Sequence, residues 1–166
     1  MSNYKEIVPF FYKWEGGLSK DKNDSASSNP CPTPFNGVKG YHTNKGVTYK
    51  AWTSVFGTNN DARFYEMNNA DWGVIFKRGY WDKVKGDKIQ FQSIANVLVS
   101  WAWGSGSRTA IIQMQRVLNV SDDGIIGSQT LNALHACNEV ELFDKCILAR
   151  KSFFESIARR NPKNMK

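Results

Sequence analysis

The sequence predicts a mainly α protein, two closely packed helical lobes with at most a short β-hairpin near residues 36 to 48. Three observations predict it. Apolar residues recur at the three- and four-residue spacing of a helix face through most of the chain. Strand-like alternation is scarce. A chain of 166 residues, 41% of them hydrophobic, is long enough for one domain with a real core but not for two independent domains. No internal repeat or linker divides it. Residues 1–90 read as one lobe carrying a long loop, and residues 91–166 as a second, helical lobe packed with it as one unit.

Taken in order, residues 4–14 place apolar side chains at 7, 8, 10, 11 and 14, a helical spacing that Asn3 can cap and that Gly16 and Gly17 end. Pro9 inside it predicts a kink or a late start. From Asp21 to His42 the composition turns to Ser, Asn and Gly with Pro30, Pro32 and Pro34, a long loop of the kind that is functional or mobile. Thr48 then caps a helix through "YKAWTSVFG", and Asn69 precedes another through "ADWGVIFKRGYW". Residues 91–103 are apolar enough for a buried central helix. Within it Trp101 and Trp103, two apart, cannot share a face, so one belongs to the core and the other is a candidate cleft residue. "SRTAIIQMQRVLNV", "SQTLNALHAC" and "EVELFDKCILARKSFFESIARR" continue the helical pattern. In "SDDGIIGSQT", Gly124 suits a turn with positive φ and Gly127 with Ser128 the start of a helix, so a structural turn accounts for the segment. The tail from Ser156, with Arg159, Arg160, Lys163 and Lys166, is basic and unpaired.

Lys and Arg outnumber Asp and Glu 22 to 15, giving +7 and a pI near 9.4, which points to a polyanionic partner: nucleic acid, an anionic membrane face or bacterial cell wall. No helix-turn-helix, zinc-finger or RNP signature is present and the basic residues are dispersed, which argues against nucleic acid. No apolar run is long enough to span a bilayer, and "MSNYKEIVPFFYKW" has neither a basic lead-in nor a small-residue cleavage site, so no integral membrane segment or cleaved signal is expected. Cys31, Cys137 and Cys146 are odd in number and lack C-x-x-C spacing, the pattern of free thiols. With His42 and His135 the remaining soft ligands, no metal or cofactor is expected, and the chain is read as a monomer.

"FFYKWEGGLSK", residues 10–20, sets one carboxylate, Glu15, between an aromatic helical stretch and two glycines. At a helix C-terminus Glu15 meets the negative end of the macrodipole. Trp14 and its aromatic neighbours are expected to desolvate it, and both effects favour the neutral acid. Two following glycines leave its flank open to a bulky polymer. That arrangement suits glycosidic bond cleavage, where an acid protonates a leaving oxygen and a second carboxylate acts on the opposite face. Asp24, nine residues on, is the candidate second group and Thr43 a candidate holder of water. The same letters also fit a plain C-cap at Gly16 with Glu15 on the surface, a solvated loop around Asp24 and a structural His42.

"KWEGG", a loop and "TNKGVT", followed by "GYWDKV", "SWAWGSGSRTAIIQMQRVLNV" and "DGIIGSQTLNAL", together resemble glycoside hydrolase family 108, bacterial and phage muramidases also labelled secretion activator proteins, with their predicted peptidoglycan-binding segment. The resemblance runs from about Tyr4 to Arg160. It implies a lysozyme-like α fold around a cleft that cuts between N-acetylmuramic acid and N-acetylglucosamine, with Glu15 as catalytic acid and Asp24 and Thr43 completing the site. Gly16, Gly17, His42, Asn44 and Trp103 are the accompanying substrate-binding candidates. Family members follow the glutamate with a short D-P-x-D-x-G-G-x-T loop, whereas "DKNDSASSNPCPTPFNGVKGYHT" here is an insertion without the Gly-Gly, a candidate lid or specificity element holding the unexplained Cys31.

The implied partner is bacterial peptidoglycan. The implied route, as for an endolysin, is synthesis in the cytoplasm and action at the wall after release or non-classical export. The alternative of a different class is a non-catalytic peptidoglycan-binding or secretion-accessory protein in which the altered loop has removed the second carboxylate.

Overall fold

The computed structural model describes residues 1–160. Eight α-helices and a two-stranded antiparallel sheet make up the described chain, which divides into two compact units, Lys5–Gly79 and Met1–Tyr4 with Tyr80 onward. Among the described residues no helix is long and apolar enough to cross a membrane.

In the first unit the late start that Pro9 predicts is what occurs. A 3₁₀ turn at Tyr4–Glu6 precedes helix α1, Val8–Trp14, with the proline in its first turn, where its missing N–H is not needed. The N-cap is Ile7, not Asn3, and supplies no side-chain bond. Only Phe11 of α1 is buried, against Phe76 at 4.9 Å and Trp72 at 6.1 Å. Strands β1, Thr43–Asn44, and β2, Val47–Thr48, form the hairpin, pairing Thr43 with Thr48 and Asn44 with Val47. Their two-residue loop is Lys45 at φ 48° and Gly46 at φ 73°, the double positive φ of a type I′ turn. A second such turn, Asn36 at φ 49° and Gly37 at φ 78°, folds the long loop back on itself between Phe35 and Val38.

Thr48 caps α2, Tyr49–Phe56, through a 3.1 Å bond accepted from the Ala51 N–H, as the sequence indicates. The short α3, Asp61–Tyr65, carries too little apolar periodicity to be legible in sequence. Helix α4, Asn69–Phe76, is capped by Asn68, one residue before the expected position, and runs on into a π turn at Lys77–Trp81. Trp52, Phe64, Trp72 and Phe76 are fully buried and form the core of this unit.

The long loop is tied down by side chains. Cys31, unexplained in sequence, is 2% exposed, and its N–H bonds the Tyr41 carbonyl at 2.8 Å. Asp61 accepts from Thr33 and from the Tyr49 hydroxyl, both at 2.6 Å, while the Tyr65 hydroxyl bonds the Thr33 carbonyl. Desolvation raises the Cys31 thiol and the Tyr49 and Tyr65 phenols above their ordinary ranges, so all stay protonated donors around the Asp61 carboxylate.

In the second unit the expected central helix is α5, Gln92–Ser105, with Ile94, Ala95, Val97, Leu98, Val99, Trp101 and Ala102 buried. It packs on α6, Ser107–Val117, and on α8, Glu139–Arg160. Trp101 is the core member of the tryptophan pair. Helix α8 carries the C-terminal basic residues as far as Arg160, with Arg159 4.0 Å from Glu155, so this part of the tail is helical and paired; Lys163 and Lys166 lie outside the described residues.

Between α6 and α7, Ser128–His135, the chain wraps around one buried side chain, Gln115. Its amide N–H groups donate to Asp123 at 2.8 Å, the Ile125 carbonyl at 3.0 Å and Thr130 at 3.2 Å, and its carbonyl accepts from the Gly124 N–H at 2.8 Å. Gly124 has φ 76° and Gly127 precedes α7, both as the sequence indicates, and the turn is complete without a ligand.

Two predictions follow from this packing. Gln115→Met strands the Gly124 N–H and Thr130 hydroxyl and lowers the unfolding free energy by about 3 kcal/mol in urea titration; a change under about 0.5 kcal/mol overturns this account of the turn. Burial pushes the Cys146 thiol from 9.0 up to about 12. The stability it contributes is therefore complete below about pH 9 and lost as pH rises through the folded-state value. Cys146→Ala has a flatter stability curve than wild type between about pH 8 and 11; parallel curves overturn the assignment.

Candidate active site

Glu15 stands where α1 ends. Its backbone has left the helix, φ −84° and ψ 130°, while its N–H still bonds the Phe11 carbonyl at 3.0 Å. Neither Gly16 nor Gly17 has a positive φ, so no left-handed glycine cap ends the helix. What the glycines provide is space: both are exposed, and a Cβ built at either meets nothing within 4 Å. Trp14, expected to desolvate the acid, is 69% exposed, with Lys13 Nζ 5.3 Å from its ring centroid.

The hairpin turn supplies the other side of the carboxyl group. A Cβ built on Gly46 falls 1.8 Å from Glu15 Oε2 and 2.3 Å from its Cδ, so the carboxyl group occupies the volume that any other residue at position 46 needs. The turn is anchored from behind. Asn44 is buried and donates to the Phe64 carbonyl at 2.7 Å and the Tyr65 carbonyl at 3.1 Å, which makes this substrate-binding candidate a structural brace. Lys45, strained at positive φ, donates from Nζ to the Met67 carbonyl at 2.7 Å and accepts at its own carbonyl from Trp72 Nε1 at 3.0 Å. These bonds fix the turn against α4.

The segment after the glycines returns to the same hairpin. Ser19 bridges Thr43, donating to its carbonyl at 2.8 Å and accepting from the His42 N–H at 3.0 Å. His42 is 1% exposed, its Nε2 3.1 Å from the Asp21 carbonyl and its Nδ1 3.0 Å from Thr43 Oγ1. A carbonyl only accepts, so in the neutral ring Nε2 carries the proton and Nδ1 accepts from the Thr43 hydroxyl. That leaves the Thr43 oxygen lone pairs as acceptors.

Glu15, Gly16 and Gly17 line one depression of about 320 Å³ with Tyr12, Lys45 and Asn69. The last three escaped the sequence reading. Tyr12 and Asn69 are joined by a bond from the Tyr12 hydroxyl to the Asn69 carbonyl at 2.9 Å, a contact across 57 residues that no local pattern signals. Among the described residues Asp24 is not part of that lining. It caps a 3₁₀ turn, Ser25–Ser28, with Oδ1 accepting from the Ala26 N–H at 2.9 Å. Trp103 belongs to the other unit, half-buried with its ring centroid 4.7 Å from that of Tyr80. Among the described residues no group of three or more His, Cys, Asp or Glu is placed to hold a metal ion.

A family model described as glycosyl hydrolase 108 matches residues 8–106, and one described as a predicted peptidoglycan domain matches residues 109–166. No curated protein matches the chain. Among solved structures, SagA of Brucella abortus is similar in fold, with a TM-score of 0.74 and 23% identity over 91% of this chain and 79% of that one.

The contact between residues 15 and 46 is testable by itself. Gly46→Ala destabilises the protein by more than the roughly 1 kcal/mol that a positive φ costs a non-glycine residue. Glu15→Ala in the same chain recovers the excess, giving a coupling of at least about 0.5 kcal/mol in a double-mutant cycle. Strict additivity overturns the contact.

Proposed function

We propose, from the premise that the chain belongs to the glycosyl hydrolase 108 family, that it is an N-acetylmuramidase cutting between N-acetylmuramic acid and N-acetylglucosamine, with Glu15 as general acid. Membership of the family and the predicted peptidoglycan domain at residues 109–166 support a hydrolase or binding protein directed at peptidoglycan, on a lysozyme-like fold. The finer reading rests on one observation: the Glu15 carboxyl group is set against the Cα of Gly46 at the edge of an open depression, with two glycines as its other flank.

Protonation of a glycosidic oxygen needs an acid that a polymer can approach within hydrogen-bond distance. A carboxyl group braced on backbone keeps its aim without a bulky neighbour between it and the sugar. The water that completes hydrolysis falls to Thr43, whose hydroxyl proton is committed to His42 and whose oxygen can accept from water. Gly16 and Gly17 leave room for the strand, and bacterial cell wall is the place of action. A monomer suffices, since all these groups come from one chain.

The second reading, a peptidoglycan-binding or secretion-accessory protein without turnover, is favoured by Asp24, whose carboxylate serves as a cap. Asn caps about as well as Asp, so Asp24→Asn tests the charge without loss of the turn.

The deciding experiment is clearing of a Gram-negative peptidoglycan suspension, with reducing-end and product analysis. Wild type releases muramic acid reducing ends, and Glu15→Gln lowers the rate at least about 100-fold with unchanged thermal melting. Loss of turnover in Asp24→Asn assigns the second carboxylate to it; retained turnover leaves the water to Thr43. A folded wild type that pellets with peptidoglycan but clears nothing between about pH 4 and 8 gives the binding reading instead.

A further inference from the structure

The inserted loop holds a second depression, of about 350 Å³, into which Lys20, Lys22 and Lys39 converge beside Ser27, with the buried His42 at its floor. Three ammonium groups here have no carboxylate partner: among the described residues none of them forms an ion pair. The two acids nearest in sequence are occupied by their own turns. Asp21 Oδ1 accepts from the Asn23 N–H at 2.9 Å and its side-chain amide at 3.0 Å, and Asp24 Oδ1 accepts from Ala26. Lys20 is held over the Tyr41 ring, 5.8 Å from its centroid, and Tyr41 is in turn fixed by the bond from Cys31 and by edge contact with Phe35.

In a strand that carries its peptides the lactyl carboxyl of each muramic acid is taken up in the amide to the branch, so the sugar chain itself is neutral and has nothing to match three cations. The charged part of a peptidoglycan strand is its peptide branch, which ends in free carboxylates. Lys20 lies five positions beyond Glu15, at most about 18 Å of extended chain, so a branch leaving a sugar at Glu15 reaches this depression. The two depressions are linked through the hairpin: Ser19 pairs with Thr43, and His42, which lines the lysine depression, bonds Thr43 Oγ1 at 3.0 Å.

We propose that this depression is a carboxylate-binding subsite for the acidic peptide branch of the strand, so that the insertion selects peptide-bearing over bare glycan. The proposal rests on peptidoglycan as the polymer bound at Glu15, but not on turnover there. Lysines act as compact point charges, which suits carboxylates on a flexible peptide better than a bidentate site would.

The test uses two protein backgrounds. In the Glu15→Gln protein, calorimetric binding of a purified disaccharide–tetrapeptide is compared with that of the same disaccharide with its lactyl carboxyl capped as a methyl amide in place of the peptide. K20Q/K22Q/K39Q weakens the peptide-bearing ligand roughly tenfold at low salt and leaves the capped disaccharide unchanged, a size expected of three partly exposed ion pairs. K83Q/K85Q/K88Q, which removes the same charge elsewhere, does neither. In the wild-type background, the rate on peptide-bearing wall divided by that on amidase-stripped glycan falls toward one with K20Q/K22Q/K39Q. Equal weakening by the two triple variants, or none by either, overturns the subsite and leaves the muramidase reading standing. Peptide-dependent binding with no turnover on either substrate upholds the subsite and removes the muramidase.

Discussion

The site depends on one steric fact: the carboxyl group of Glu15 lies where the side chain of residue 46 would be. Only glycine leaves that volume empty, and here a turn with two positive φ values, Lys45 at 48° and Gly46 at 73°, presents the bare Cα to the acid. The hairpin therefore does two tasks at once. It reverses the chain between β1 and β2, and its second turn residue becomes the wall against which the acid rests. Lys45 adopts the disfavoured φ because its ammonium, its carbonyl and the neighbouring Asn44 amide are each bonded to backbone or to a core tryptophan.

From that contact the rest of the first unit can be read as support. Helix α1 is short and buries a single side chain, so little in its own packing fixes where its C-terminus points. Its direction is set by Phe11 against Trp72 and Phe76, by the Tyr12 bond to α4, and by the return of Ser19 to the hairpin. The inserted loop is anchored separately, by Asp61 and the protonated groups around it. A half-buried carboxylate that accepts short bonds from two hydroxyls is satisfied without a cation, which leaves the lysines of the loop uncommitted.

The two carboxylates that sequence spacing pairs end up in different circumstances. Glu15 faces an open depression, while Asp24 is drawn into capping the turn that follows it. Nine residues of separation say nothing of this, because the insertion changes what the second acid must do locally. In the second unit the opposite holds. The "DGIIGSQT" segment, which resembles a wall-binding element, has its polar groups satisfied around Gln115, a residue no motif singles out.

By itself the sequence determined the helical class, the caps at Thr48 and Gly127, the positive φ of Gly124, the burial of the 91–103 helix and the candidacy of Glu15. Each of these follows from side chains acting on neighbours within a turn or two, or from periodic burial. It also placed a short hairpin near residues 36 to 48, although not which atoms its turn would face. Only the tertiary structure decided that Gly16 and Gly17 are open flanks and not caps, that Trp14 points to solvent, that Asn44 is a brace, and that Gly46, Lys45, Tyr12 and Asn69 surround the acid. Those outcomes come from contacts between residues tens of positions apart, such as Tyr12 with Asn69 and Lys45 with Met67. The energy of such a contact depends on where the intervening chain brings both partners, which no local pattern encodes.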